Sequence, residues 1–222
     1  MLDNNMALYK DHDHDAELKP RLEYRGEKFN LDFKSVSYSI YHSGTYNFEI
    51  IGKQIYSGYD SSDSSALKGM KDRDGSFDVG GRASVRTPYG LLSLHVVSDV
   101  LGEHKGQEVD LRFGAPFYQR LWSTSGEAQL GLTLSQGVRW QSKDVIDHFY
   151  GVKSSEVSST RHAYDGNSAL IPYIGLEPTL SYEDFTIDGG LRYEWLPSEI
   201  TDSPIASGNK LRVRLGLTYW FQ

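Results

Sequence analysis

The chain has 222 residues, a net charge of −7 and no cysteine. The missing cysteine excludes disulfides, thiolate catalysis and zinc–thiolate sites together, and the acidic balance argues against nucleic acid as a partner. Mean hydropathy is −0.50, and no window approaches the roughly 18 to 20 apolar residues of a spanning helix.

Bulk hydropathy does not exclude a membrane barrel, whose strands are half polar. Tyr and Trp number 15 and 4, and these are the side chains that favour membrane–water interfaces. The start, Met1-Leu2-Asp3-Asn4-Asn5, lacks the basic-then-apolar pattern of a signal peptide. The expectation is a processed chain with Met1 as an expression start. The alternative is a cytosolic protein.

Residues 1–14 are expected to lie outside the wall of a single domain spanning 1–222. Within them, Asp11-His12-Asp13-His14-Asp15 offers metal-ligand chemistry. Adjacent residues of an extended segment point to opposite faces, however, so few ligands converge. A solvated acidic turn is the simpler reading. No metal site and no cofactor are expected.

The first strand is placed near Ala16, with Pro20 weakening it. Alternation slips by one residue between Phe29/Leu31/Phe33 and Val36/Tyr38/Ile40, which a β-bulge would absorb. Tyr46, Phe48 and Ile50 then alternate with Asn47 and Glu49. The polar stretch 57–75 reads as a surface loop. Its Tyr59–Ser65 segment lacks the spacing of a calcium loop, though its acids suit lipopolysaccharide held through divalent ions.

Further strands follow the same scheme. Phe77, Val79, Ala83 and Val85 oppose Asp78, Arg82 and Arg86; Leu92, Leu94 and Val96 oppose Ser93, His95 and Asp99. Val109, Leu111 and Phe113 oppose Glu108, Asp110 and Arg112; Ala128, Leu130, Leu132 and Leu134 oppose Glu127 and Gln129. Lys143 to Tyr150 places Val145, Ile146, Phe149 and Tyr150 at helical spacing inside the loop 142–166. Phe185, Ile187, Leu191 and Tyr193 oppose Asp188, Arg192 and Glu194, and Lys210 to Phe221 alternates throughout.

Short turns at 42–45, 87–90 and 183–184 alternate with long loops at 57–75, 142–166 and 197–208. That asymmetry predicts an all-β, up-and-down transmembrane barrel with short periplasmic turns and long extracellular loops. Counting back from Phe221 gives about ten strands, with twelve as the alternative. The location expected is the bacterial outer membrane, with its lipid and lipopolysaccharide as partners.

The predicted interior carries Glu49, Lys53, Asp78, Arg82, Arg86, Asp99, Asp110, Arg112, Asp188, Arg192, Glu194, Arg212 and Arg214. Interleaved signs suit an ion-pair plug, because a buried charge must be paired; a selectivity lining is the other reading. No nucleophile–base–orienter set is visible, so no enzyme is expected and no catalytic residue is assigned. Asp147, Tyr150, Tyr164 and Asp202, on loops carried by a rigid scaffold, are the candidates for binding an extracellular ligand.

Several segments together resemble the MltA-interacting protein / OmpV family of outer-membrane proteins. They are Tyr9-Lys10-Asp11 through Glu23-Tyr24-Arg25-Gly26; Leu67-Lys68-Gly69-Met70-Lys71-Asp72-Arg73-Asp74-Gly75; Trp140-Gln141-Ser142; Phe149-Tyr150-Gly151-Val152 with Ser155 and Glu156; and Asp202-Ser203-Pro204-Ile205. The resemblance implies an outer-membrane barrel. It also implies a scaffold joining a lytic murein transglycosylase to a bifunctional penicillin-binding protein. The charged interior and loops leave a small-solute channel, or a ligand receptor or adhesin, as the alternative.

Overall fold

The computed structural model describes residues 2–5, 9–11, 17–18, 22–32, 34–123 and 126–221, with backbone alone at 2–5, 17–18, 56–57, 119–123 and 126–127. The segment 12–16, with most of the Asp/His run, and Pro20 lie outside the described residues.

Alternating side chains make this an all-β chain. The strands are β1 (Leu2–Asn5), β2 (Glu17–Leu18), β3 (Tyr24–Arg25), β4 (Phe29–Asp32), β5 (Ser35–His42), β6 (Tyr46–Tyr59) and β7 (Arg73–Thr87). They continue as β8 (Gly90–Asp99), β9 (Gln107–Ser123), β10 (Gly126–Gln141), β11 (Ala169–Tyr182), β12 (Phe185–Glu194) and β13 (Lys210–Tyr219). The helices are α1 (Lys143–Tyr150) and α2 (Ser198–Thr201). No described helix is long and apolar enough to cross a membrane.

All thirteen strands form one sheet in the order β2-β1-β13-β12-β11-β10-β9-β8-β7-β6-β5-β4-β3. Two corrections follow. Leu2–Asn5 pairs with β13, Leu2 opposite Leu215 and Asn5 opposite Arg212. This part of the N-terminal segment therefore belongs to the sheet and is not outside it. The phase slip after Leu31 is not a bulge but a hairpin, with Asp32 opposite Ser35. Both devices shift alternation by one, but only the turn reverses the chain and adds a strand.

The sheet's two edge strands, β2 and β3, are neighbours in sequence. Leu18 and Tyr24 are separated by at most about 21 Å of chain. A flat sheet of this size would hold its edges roughly 55–60 Å apart, so the sheet curls. Antiparallel pairing of β2 with β1 and of β3 with β4 sends both the same way. Counted as one passage, they bring the total to twelve, the alternative count.

Burial is inverted relative to a water-soluble sandwich. Leu94, Val96, Ile187, Val213 and Leu215 are exposed, while Glu49, Asp78, Glu108, Asp110, Glu194 and Lys210 are buried. The concave face therefore holds the charges and the convex face the apolar rows. At one end the strands are joined by tight turns at 43–45, 88–89 and 183–184. At the other they are joined by 60–72, 100–106, 142–168 and 195–209.

Candidate functional site: an ion-paired interior beneath an apolar cap

Strand alternation brings acids and bases onto the concave face, and curvature lets them meet across strands. Lys53 of β6 reaches Glu108 of β9 at 2.5 Å and His95 at 3.1 Å; in a flat sheet these two strands would lie about 14 Å apart. Glu108 also accepts a hydrogen bond from Gln141 Nε2 at 2.8 Å. Arg139 donates to Glu194 at 2.6 Å, and Arg192 Nε lies 3.1 Å from the other Glu194 oxygen. The Arg192 guanidinium sits 3.5 Å over the Tyr173 ring, whose hydroxyl donates to Asp110 at 2.8 Å.

Nearer the short turns, Arg112 donates to Glu177 at 2.6 Å, and Arg82 to Glu49 at 2.7 Å. Arg214 lies 3.7 Å from Asp188, and Arg212 is half-buried on the same face. Two predicted members depart from the set. Arg86 is exposed, because its strand ends beside it at a tight turn. Asp99 turns instead to the 100–106 loop, where it accepts hydrogen bonds from the amides of Leu101, Gly102, His104 and Lys105.

Asp78 likewise stands apart from the arginines. It is fully buried and receives Ser76 Oγ at 2.5 Å and His104 Nε2 at 3.1 Å. Ser76 follows from alternation on β7. His104 has no periodic signal, because it enters from a loop. Tyr173, also missed, occupies an inward position of β11 opposite Gly137.

The long loops close over this interior. The predicted helix forms, and its Val145, Ile146, Phe149 and Tyr150 pack with Tyr9, Tyr59, Leu67, Met70, Ile200 and Ile205 in one buried cluster. Arg161 ties the loops together through the carbonyls of Ala66, Lys68 and Glu156. Glu156 takes Arg73 and the amides of Lys71 and Lys153.

Three of the four predicted loop ligand residues serve this packing. Tyr150 is 1% exposed, so its side chain is not presented to solvent. That corrects its candidacy: the helical spacing that flagged it also points it into the cap. Asp147 Oδ1 accepts the Gly166 amide at 2.7 Å, and the Tyr164 hydroxyl donates to the Glu199 carbonyl at 3.0 Å. Asp202 is exposed at the end of α2.

Comparison with known proteins extends this picture. A family model described as "MltA-interacting protein MipA" matches residues 5–221. The chain is 28% identical to "Outer membrane protein OmpV" of Vibrio cholerae over 223 residues, covering 96% of this chain and 82% of that one. It is 26% identical to "Outer membrane protein Omp26La" of Vibrio anguillarum with the same coverage. It is 27% identical to "MltA-interacting protein" of Escherichia coli K12 over 220 residues, 96% of this chain and 85% of that one. No solved structure matches the chain significantly.

Proposed function

The chain belongs to the MltA-interacting protein MipA family and is an outer-membrane protein, and from that premise we propose that it anchors a murein transglycosylase at the membrane. The apolar convex rows face lipid, and the sheet closes into a barrel with its tight turns in the periplasm and its cap outside. Lipopolysaccharide surrounds the outer half. A bifunctional penicillin-binding protein completes the complex.

One observation carries this reading. β8 pairs with β9 only as far as Leu91 opposite Gly114, whereas β9 continues to Ser123 paired with β10. The stretch Ala115–Ser123 therefore extends along the tight-turn end for about 30 Å with one edge free of β8. An unpaired strand edge is a template for an incoming strand. Exposed Phe117 and Tyr118, the latter 79% exposed, flank it. An extended segment of the transglycosylase adds there.

The ion-paired interior and the closed cap favour an anchor over a small-solute channel. The test is capture of a purified lytic transglycosylase by the full chain in detergent. Wild type is expected to retain it, and Phe117→Glu/Tyr118→Glu to lose it while staying folded. No capture by wild type overturns the anchor reading. Equal capture by the variant overturns the docking edge. Planar-bilayer recording is expected to stay silent, and steady unitary conductance would return the channel.

A further inference from the structure

The charges of the interior mostly find opposite partners, but the buried Asp78, beside a half-buried Asp99, does not. Asp78 and Asp99 stand directly opposite each other on β7 and β8. Ser76 Oγ lies 2.5 Å from Asp78 Oδ1 and 3.1 Å from Asp99 Oδ1, so one hydroxyl hydrogen serves two carboxylates. His104 Nδ1 accepts the Gly106 amide at 2.9 Å. Its single ring hydrogen is therefore on Nε2, which donates to Asp78 Oδ1 at 3.1 Å, and the ring is neutral.

The Asp99 charge is taken up by four amides of its own loop, but among the described residues no cation faces Asp78. Lys53 is the register partner of Asp78 on β6, yet its ammonium goes to Glu108 and His95. Arg82 goes to Glu49. Among the described residues, no lysine or arginine side chain is hydrogen-bonded to either carboxylate. The side chains of Asp78 and His104 are both 0% exposed, and Asp78 Oδ2 is buried with no hydrogen-bond partner. A buried charge in protein is paired or coordinates a metal, and the neighbouring Asp99 carboxylate adds like-charge repulsion that a cation would relieve.

We propose that Asp78, Asp99 and His104 hold a divalent cation of the zinc class. One ligand atom from each lies within 4.8 Å of the others. One imidazole nitrogen with two carboxylate oxygens is a borderline N/O set that suits Zn²⁺, whereas Ca²⁺ and Mg²⁺ take oxygen alone. The ion takes the place of the hydrogen between His104 Nε2 and Asp78; that hydrogen shifts to Nδ1, and the Gly106 amide, which now donates to Nδ1, turns away as the 100–106 loop adjusts. The 3.1 Å separation of Nε2 and Asp78 Oδ1 is close to the roughly 3.3 Å between ligands of a tetrahedral zinc. Asp78 Oδ2 gains the partner it lacks. A water fills the fourth position, with Ser76 Oγ beside it, and the ring stays neutral throughout.

The 100–106 loop fits the role of a hinged cover. Four of its amides bind Asp99, which sets His104 over the site, while Leu101, Gly102, Glu103 and Lys105 are exposed. An ion enters from the long-loop end when that loop lifts.

The test is calorimetric titration of the EDTA-treated full chain in detergent with ZnCl₂. A His12→Ala/His14→Ala background removes the imidazoles of the N-terminal Asp/His run. One ion per chain is expected in that background. His104→Ala and Asp78→Asn should each weaken binding at least tenfold. Co²⁺ loaded into the same background reads the site without touching it, through the ligand-field bands of a low-coordinate N/O centre. No uptake in the background, or uptake unchanged by His104→Ala, overturns the proposal, as do the bands of cobalt with water ligands alone.

Discussion

Arg73 places Nη2 3.0 Å from each carboxylate oxygen of Glu156, across 83 sequence positions. Both side chains are buried. The pair fastens the start of β7 to the loop between β10 and β11, and it does so where Glu156 already holds two backbone amides. The cap is thus pinned by a polar clasp as well as by its apolar cluster.

Cutting the clasp leaves Arg73 buried without its partner, a change that costs about 3–5 kcal/mol. Glu156→Ala is therefore expected to open the cap while the sheet persists. Limited proteolysis checks this. Cleavage within 142–168 should accelerate by more than tenfold, with strand content by circular dichroism unchanged. Equal protection would show that the apolar cluster alone holds the loops.

The same cap should loosen at both pH extremes. Burial alone would raise the Glu156 carboxyl, but the Lys153 and Lys71 amides and Arg73 outweigh it and hold it below the ordinary 4.5. Its contribution is complete above that value and is lost as pH falls through the lowered one. Burial, then the nearby Asp202, Glu199 and Asp147, push the Tyr164 hydroxyl above 10. That contribution is complete below 10 and disappears as pH rises through the raised value. Protection of 142–168 is expected to be bell-shaped in pH, with Tyr164→Phe removing the alkaline limb.

Leu215 on β13 is 53% exposed on the convex face, while Thr218 belongs to the opposite row. Leu215→Arg should cost about 2–4 kcal/mol if it lies at the bilayer midplane, and Thr218→Arg clearly less. Folding yields into lipid vesicles measure the difference. Equal penalties would contradict the assignment of faces.

Gly137 has a packing role. A Cβ there would lie 2.4 Å from Tyr173 ring atoms and 2.6 Å from the Leu111 carbonyl. Gly137→Ala must therefore displace Tyr173 from beneath Arg192 and from Asp110, at about 1–3 kcal/mol. Thermal unfolding in detergent should fall accordingly, and the tyrosine fluorescence of the folded state should change.

The sequence reveals the parts governed by short-range rules. The two-residue period separates Leu94 from His95 and Leu215 from Arg214, because one face must be greasy and the other paired. The helical spacing of Val145, Ile146, Phe149 and Tyr150 yields α1. Other features were hidden because their causes lie far apart in the chain. The hairpin that sets Asp32 opposite Ser35 and a bulge leave the same trace in alternation. Glu156 finds Arg73 across 83 positions, and His104 finds Asp78 only once β8 has paired with β7 and the 100–106 loop has folded back. Asp99 carries an inward charge that its own loop consumes, which no pattern of polarity distinguishes from an ion-pairing acid.

The seam between β1 and β13 governs assembly. Leu2 is hydrogen-bonded beside Leu215, so the earliest part of the chain completes its pairing only once the latest part has arrived. Loop closure over nearly the whole length must precede that reward, which slows the last step of folding. Until then the first strand carries an open edge, and a holding factor that shields it would raise the yield of folded protein. Joining the two ends by circular permutation, with new termini in one of the long loops, should make this last pairing local and quicken folding.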